Sequence, residues 1–228
     1  LQISGAELNP IANLGFWGYP TAFITATIRG NELFEGVSPW CRKRGVELIA
    51  KDFPYDGVRE PSIAIVFRNK VQGIAKQKVT YCRSQEAAAQ LKPNDFDLEQ
   101  IFSKDGARIF HTGGLYAAIS SSSKDLITET AKVAKRNNTI VSYDLNYREM
   151  LWRLRGGMHE AQMVNDAIMK HVDVLFANEE DLQLGLGISG PDICSGETVT
   201  QDDFAEMLNQ INCRFPQVKI VANTRRHV

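Results

Sequence analysis

The sequence predicts an α/β fold, in which a mostly parallel sheet is covered by helices and a small antiparallel sheet projects from it. Three observations carry that reading. Apolar, β-branched runs alternate along the chain with segments of helical period, which is the rhythm of βαβ units and so of parallel pairing. One stretch breaks the rhythm: three strand-like runs follow one another with only turns between them, and strands joined without a crossover pair antiparallel. The third observation is composition, since 228 residues with 43% hydrophobic content can bury a large core and do not resemble a disordered chain.

Taken in order, "PTAFITAT" (20–27) reads as the first strand. The projecting sheet is "VELIAKDF" (46–53), "SIAIVFRN" (62–69) and "QKVTYCR" (77–83). The main sheet continues through "RIFHT" (108–112), "TIVSYDL" (139–145), "DVLFAN" (173–178) and "VKIVAN" (218–223), with amphipathic helices at about 122–137, 157–171 and 201–212 between them. "SSSS" (120–123) suits a helix-capping loop. The division expected is therefore a core domain of 1–45 and 84–228 with a small β-sheet domain at 46–83.

Composition and spacing exclude several classes. The net charge of −1 is spread along the chain, with "CRKRG" (41–45) balanced by "NEED" (178–181), which argues against nucleic-acid or membrane-surface partners. No apolar run reaches the roughly 18 residues of a membrane span, and no signal region is visible. Cys41, Cys82, Cys194 and Cys213 lie far apart, without metal-site pairs or disulfide density, which points to a reducing, cytoplasmic setting. "GLGISG" (185–190) matches G-x-G-x-x-G but follows no strand and opens no helix, so it reads as a plain glycine-rich loop. No G-x-x-x-x-G-K-[ST] is present. Of His111, His159, His171 and His227 none has ligand spacing, and His111 reads as a structural histidine.

The informative pattern lies at the ends of successive parallel strands, where open α/β sheets place their ligand crevice. "HTGG" (111–114) ends one strand, "DLNYR" (144–148) the next and "ANEED" (177–181) the one after. Gly113 and Gly114 permit close backbone approach. Asp144, Asn146 and Arg148 alternate with Leu145 and Tyr147, so in extended chain the three polar groups share one face. Arg148 offers a planar fork of donors suited to hydroxyl or carboxylate oxygens.

At this level of detail the chain resembles a known family. "GAELNPIANLGFWGYPTAFIT" (5–25) is similar to the glycine-rich entry motif of the ribokinase-like (PfkB) sugar kinases. "VTYCRSQEAAAQLKPNDFD" (79–97), "IFHTGGLYAAIS" (109–120), "SYDLNYREMLW" (142–152) and "DVLFANEEDL" (173–182) follow in the order of the 2-keto-3-deoxygluconate kinase branch. The resemblance implies a ribokinase-like fold with a small β-sheet lid at 46–83 that closes over the sugar and pairs two subunits into a homodimer. It implies ATP and Mg²⁺ as cofactors. By similarity Gly5 and Asn9 lie against the sugar, Tyr81 and Arg83 reach it from the lid, Leu115 packs on it and Arg148 holds its acidic end. Asn146 and Asn178 fall to the cofactor side, and Asp181 takes the position of the Glu in an Asn-x-x-Glu motif that organises magnesium and phosphate.

Departures from the family pattern are equally specific. Ser4 stands where the first Gly of a pair belongs, Pro10 follows Asn9, and "GNELFEG" (30–36) matches the Asp-Asn-x-x-Gly segment loosely. The family's first strand with its sugar-binding Asp, and its Gly-Ala-Gly-Asp anion hole carrying the general base, have no counterpart in these residues. The chain is accordingly expected to be a fragment truncated at both ends, with no catalytic residue of its own and with negligible turnover as it stands. The activity implied for the family member is phosphoryl transfer from ATP to a hydroxyl of a sugar acid such as 2-keto-3-deoxygluconate. Fructose or another neutral sugar is the alternative substrate, and a non-catalytic sugar-binding or dimerising relative is the alternative function.

Overall fold

The computed structural model of the protein describes residues 2–55, 61–68, 79–83, 85–192 and 199–223, with the backbone alone at 67, 68, 79, 81 and 82. Asn69 and residues 77–78 of the expected strands, Cys194 and His227 lie outside the described residues. The chain forms two compact units, Leu1–Leu91 and Lys92–Val228. Among the described residues no helix is long and apolar enough to cross a membrane.

In the first unit, α1 (Leu8–Phe16) buries Leu8, Ala12 and Gly15, the four-and-three spacing of one helical stripe. Pro10 falls in its first turn, where a missing N–H costs no intrahelical bond. Gly15 is needed for packing, because a Cβ there would stand 2.4 Å from the Arg44 carbonyl oxygen. Strand β1 (Thr21–Ile28) pairs in parallel with β2 (Val46–Phe53), from Thr21 opposite Val46 to Ile28 opposite Phe53. Two short helices, α2 (Glu32–Glu35) and α3 (Val37–Arg42), make the crossover. The run at 46–53 is thus not a strand of an antiparallel projecting sheet, because a helical connection brings it alongside β1 in the same direction. What remains antiparallel is the pair β3 (Ile65–Arg68) and β4 (Val79–Cys82), with Val66 opposite Tyr81.

The second unit holds the main sheet: β5 (Ile109–Gly113), β6 (Ile140–Asp144), β7 (Val174–Phe176) and β8 (Ile220–Ala222), all parallel and in sequence order. Between them run α4 (Gly114–Ile119), α5 (Ser121–Arg136), α6 (Glu149–Arg153), α7 (Gly157–Met169) and α8 (Gln201–Arg214). Ser120 caps α5 by accepting the Ser123 N–H at 3.0 Å, as the serine run suggests. The core forms where Val141, Tyr143 and Leu175 meet Ile127, Ala131, Val164, Ile168 and Ile211 from the helices. The alternate strand residues Ile109, Ile140, Phe176 and Ile220 stay 40–62% exposed, so helices cover one face of this sheet more fully than the other.

At the other end of the sheet, Asp173 is 4% exposed. Its carboxylate accepts from Lys135 Nζ at 2.6 and 2.7 Å and from the Val141 N–H at 2.9 Å, so the buried charge is both paired and hydrogen-bonded.

Candidate active site

The C-terminal ends of β5, β6 and β7 bring three loops together within the second unit. The first tie is backbone to backbone. Leu145 N–H donates to the Phe176 carbonyl at 2.8 Å, extending the β6–β7 contact one residue past the strand. Gly114 sits against the same residue, since a Cβ at position 114 would fall 2.1 Å from the Leu145 oxygen. No side chain fits there, which explains why "HTGG" must end in glycine.

Beyond Asp144 the chain ceases to be extended. Asn146 has φ +35°, in the left-handed region that asparagine tolerates better than most residues. Asp144, Asn146 and Arg148 therefore do not share one face by strand alternation, because the strand ends at Asp144 and a turn follows. The turn has its own logic: the Asp144 carboxyl accepts the Asn146 backbone N–H, an Asx-type contact. Burial first, and then the neighbouring Asp181 charge, push the Asp144 carboxyl above the usual aspartate range, while Arg148 and the Asn146 N–H act the other way.

Tyr147 is 8% exposed and is held from both sides. Its N–H donates to Asp181 Oδ1 at 2.8 Å, and its carbonyl accepts Arg148 Nη1 at 2.8 Å. Arg148 itself is exposed and precedes α6, whose Trp152 is fully buried and anchors the segment. Asn178 and Asp181 form a reciprocal pair: the Asn178 N–H donates to Asp181 Oδ2 at 3.2 Å, and the Asp181 N–H to Asn178 Oδ1 at 2.7 Å. Leu115 is half-buried as the second residue of α4.

The structure thus brings Asp144, Asn146, Arg148, Asn178 and Asp181 together, with Leu115 beginning the adjacent helix. Gly5, Asn9, Tyr81 and Arg83 belong to the other unit. There Asn9 Oδ1 accepts from Gly5 N–H at 3.4 Å and Ser4 Oγ at 3.3 Å, a local turn contact before α1. Tyr81 contributes backbone to β4. Arg83 Nη1 lies 3.0 and 3.1 Å from the two carboxylate oxygens of Glu86. Glu86 is 7% exposed, and burial pushes its carboxyl up while Arg83 opposes that shift. Sequence reasoning passed over Glu86, although its position three residues after Arg83 is a spacing at which ion pairs form.

His111 is structural, with Nδ1 3.0 Å from Ser142 Oγ and its ring edge-on to Phe176. Burial pushes its imidazole below the usual range. "GLGISG" follows a helical segment, Asp181–Gly185, and not a strand, so it is no dinucleotide loop.

Both oxygens of Asp181 accept a backbone N–H, which ties its carboxylate to two loops, and among the described residues no three His, Cys, Asp or Glu side chains gather closely enough to hold a metal ion.

No protein-family profile matches the chain. It is 28% identical over 195 residues to the 2-dehydro-3-deoxygalactonokinase of Haloferax volcanii, a match covering 83% of this chain and 55% of that protein. The crystal structure of the 2-dehydro-3-deoxygluconokinase of Thermotoga maritima superimposes with a TM-score of 0.82 at 31% identity, covering 96% of this chain and 62% of that one. A PfkB family carbohydrate kinase of Listeria grayi shares the fold at TM-score 0.80 and 23% identity, over 99% of this chain and 63% of its own. The chain therefore spans little more than half the length of the relatives it matches. Over that length, sequence and fold agree that the chain belongs to the PfkB, ribokinase-like family of sugar kinases.

Proposed function

We propose that the protein carrying this chain transfers the γ-phosphate of ATP to a hydroxyl of a sugar acid, 2-keto-3-deoxygluconate or a close relative. One observation supports the acid most directly. Arg148 stands exposed at the end of β6 with Nη1 bonded to a backbone carbonyl, and among the described residues no carboxylate lies within ion-pair distance of it. A guanidinium with donors to spare at a strand-end crevice suits a carboxylate held by charge-assisted bonds. Arg83 does not add to this argument, because Glu86 already neutralises it. The reading is supported by the likeness to kinases named for 2-dehydro-3-deoxy sugar acids, the same chemical class.

In this reading Arg148 binds the acid end, Leu115 packs on the sugar, and Asn146 and Asn178 face the nucleotide. Magnesium held through the nucleotide phosphates would neutralise the charge on the transferred group. Positioning and charge stabilisation supply the catalysis. The β3–β4 pair serves as the lid and joins two subunits. The setting is cytoplasmic, where ATP is available and where free Cys41 and Cys213 are at home.

The test compares kcat/KM for 2-keto-3-deoxygluconate, fructose and ribose in the full-length protein and in Arg148→Ala. Loss of one or two charge-assisted bonds at an exposed site should cost about 1.5–3 kcal/mol, roughly ten- to a hundredfold, on the acid alone. Equal use of neutral sugars by the parent, or an unchanged preference in the variant, would refute the assignment.

A further inference from the structure

We propose that Asp181 is a positioning residue of this site, one that holds the arginine-bearing loop through the Tyr147 peptide, and not a magnesium ligand. The inference rests on the sugar-acid reading of Arg148 and deepens it.

Successive backbone bonds hold the loop after β6. Its last ladder-like bond is Leu145 N–H to the Phe176 carbonyl at 2.8 Å. The next residue, Asn146, takes φ +35°, a conformation that side-chain-bearing residues keep only when their surroundings impose it. The following residue is Tyr147, and both ends of its backbone are engaged: N–H on Asp181 Oδ1 at 2.8 Å and carbonyl on Arg148 Nη1 at 2.8 Å. Asp181 is therefore the side chain that holds the backbone of the residue on whose carbonyl Arg148 rests.

Asp181 is itself fixed. It is 8% exposed, its Oδ2 accepts the Asn178 N–H at 3.2 Å, and its own N–H donates to Asn178 Oδ1 at 2.7 Å. The reciprocal pair locks the first turn of the helical segment after β7, and the remaining oxygen reaches across to the neighbouring loop. A carboxylate that satisfies two backbone donors in this way joins two loops. An ammonium could not replace it, since both donors need an acceptor.

The two roles separate experimentally in Asp181→Asn and Asp181→Ala, made in the full-length protein. Asparagine keeps one acceptor oxygen but loses the charge a cation needs, whereas alanine loses both acceptors. Three measurements are made: amide hydrogen exchange at Tyr147, calorimetric binding of 2-keto-3-deoxygluconate without nucleotide or metal, and the Mg²⁺ concentration for half-maximal turnover. With Asp181 as positioner, Tyr147 exchange accelerates about tenfold in Asp181→Ala and less in Asp181→Asn, while Tyr143 and Leu175 stay protected. Sugar-acid affinity falls in the same order, by about tenfold or more for alanine, and the Mg²⁺ requirement of Asp181→Asn stays within about twofold of the parent.

A Mg²⁺ requirement raised about tenfold in Asp181→Asn, with sugar-acid affinity and Tyr147 exchange unchanged, would overturn the proposal. So would unaltered Tyr147 exchange in Asp181→Ala. Should the alanine variant fail to fold, accelerated or unchanged Tyr147 exchange in Asp181→Asn decides the matter in the same sense. If the parent binds no sugar acid, the functional reading fails, and the exchange measurement still decides the role of Asp181.

Discussion

Replacing Gly114 by alanine adds a single methyl group, and the structure says where it must go. The new Cβ would lie 2.1 Å from the Leu145 carbonyl oxygen, 3.1 Å from its carbonyl carbon and 3.4 Å from Tyr143 Oη. Contacts below 3.0 Å are not tolerated, so the oxygen and the start of α4 must separate by about 0.9 Å. Neither side yields easily, for Leu145 is fully buried and its N–H is held by Phe176. Overpacking of this kind costs about 1–3 kcal/mol. Alanine's better helix propensity offsets roughly 0.5–1 kcal/mol of that. The net loss, up to about 2.5 kcal/mol, lowers the melting temperature by as much as roughly 5–10 °C in a chain of this size. The displaced carbonyl immediately precedes Asn146–Arg148, so sugar-acid binding should weaken as well. Circular dichroism melting and calorimetric titration measure the two effects. Gly106→Ala is the control, because that glycine has φ +72° but nothing within 4 Å of a Cβ: it should lose stability through backbone strain and leave binding intact. A Gly114→Ala protein that melts no lower than the parent and binds as well would refute the view that α4 presses on this loop.

The main sheet was legible because its signals are long. Helices of 16, 13 and 14 residues show their period over several turns, and the strands between them end where the polar blocks begin. The crossover from β1 to β2 was not legible. Its two helices have four and six residues, with Gly36 between them and Pro39 inside the second, so no apolar period develops within them. Without a visible helix, 46–53 reads as the partner of the strands that follow it. Site residues divide along the same line. The strand-end positions of Asp144, Arg148 and Asn178 follow from counting strands. What each group touches depends on one backbone torsion at Asn146 and on a carboxylate reaching from another loop, and neither is written in residue spacing. Resemblance is incomplete at Asp181 for a related reason: a motif gives the residue type but not the two backbone N–H groups that its carboxylate holds.

Two further outcomes are expected. The β3–β4 pair is a two-stranded ladder with Val66 44% exposed, marginal unless something covers it; if it joins subunits, light scattering of the full-length protein at micromolar concentration gives a dimer, and a monomer contradicts the lid pairing. The other concerns Asp144, whose carboxyl is pushed up mainly by burial and then by Asp181. The folded protein therefore keeps this proton to higher pH than the unfolded chain does. The stability it contributes is fully present below the ordinary aspartate value of about 4 and is lost as pH rises through the higher folded value. Asp144→Asn does not titrate, yet its side-chain oxygen can still accept the Asn146 N–H. Relative to this variant, the parent should lose melting temperature as pH is raised from about 4 towards neutrality and then level off. A difference that stays flat, or a parent that gains on the variant as pH rises, would mean that Arg148 and the Asn146 N–H outweigh burial and the Asp181 charge, and that the crevice already favours a carboxylate anion at Asp144.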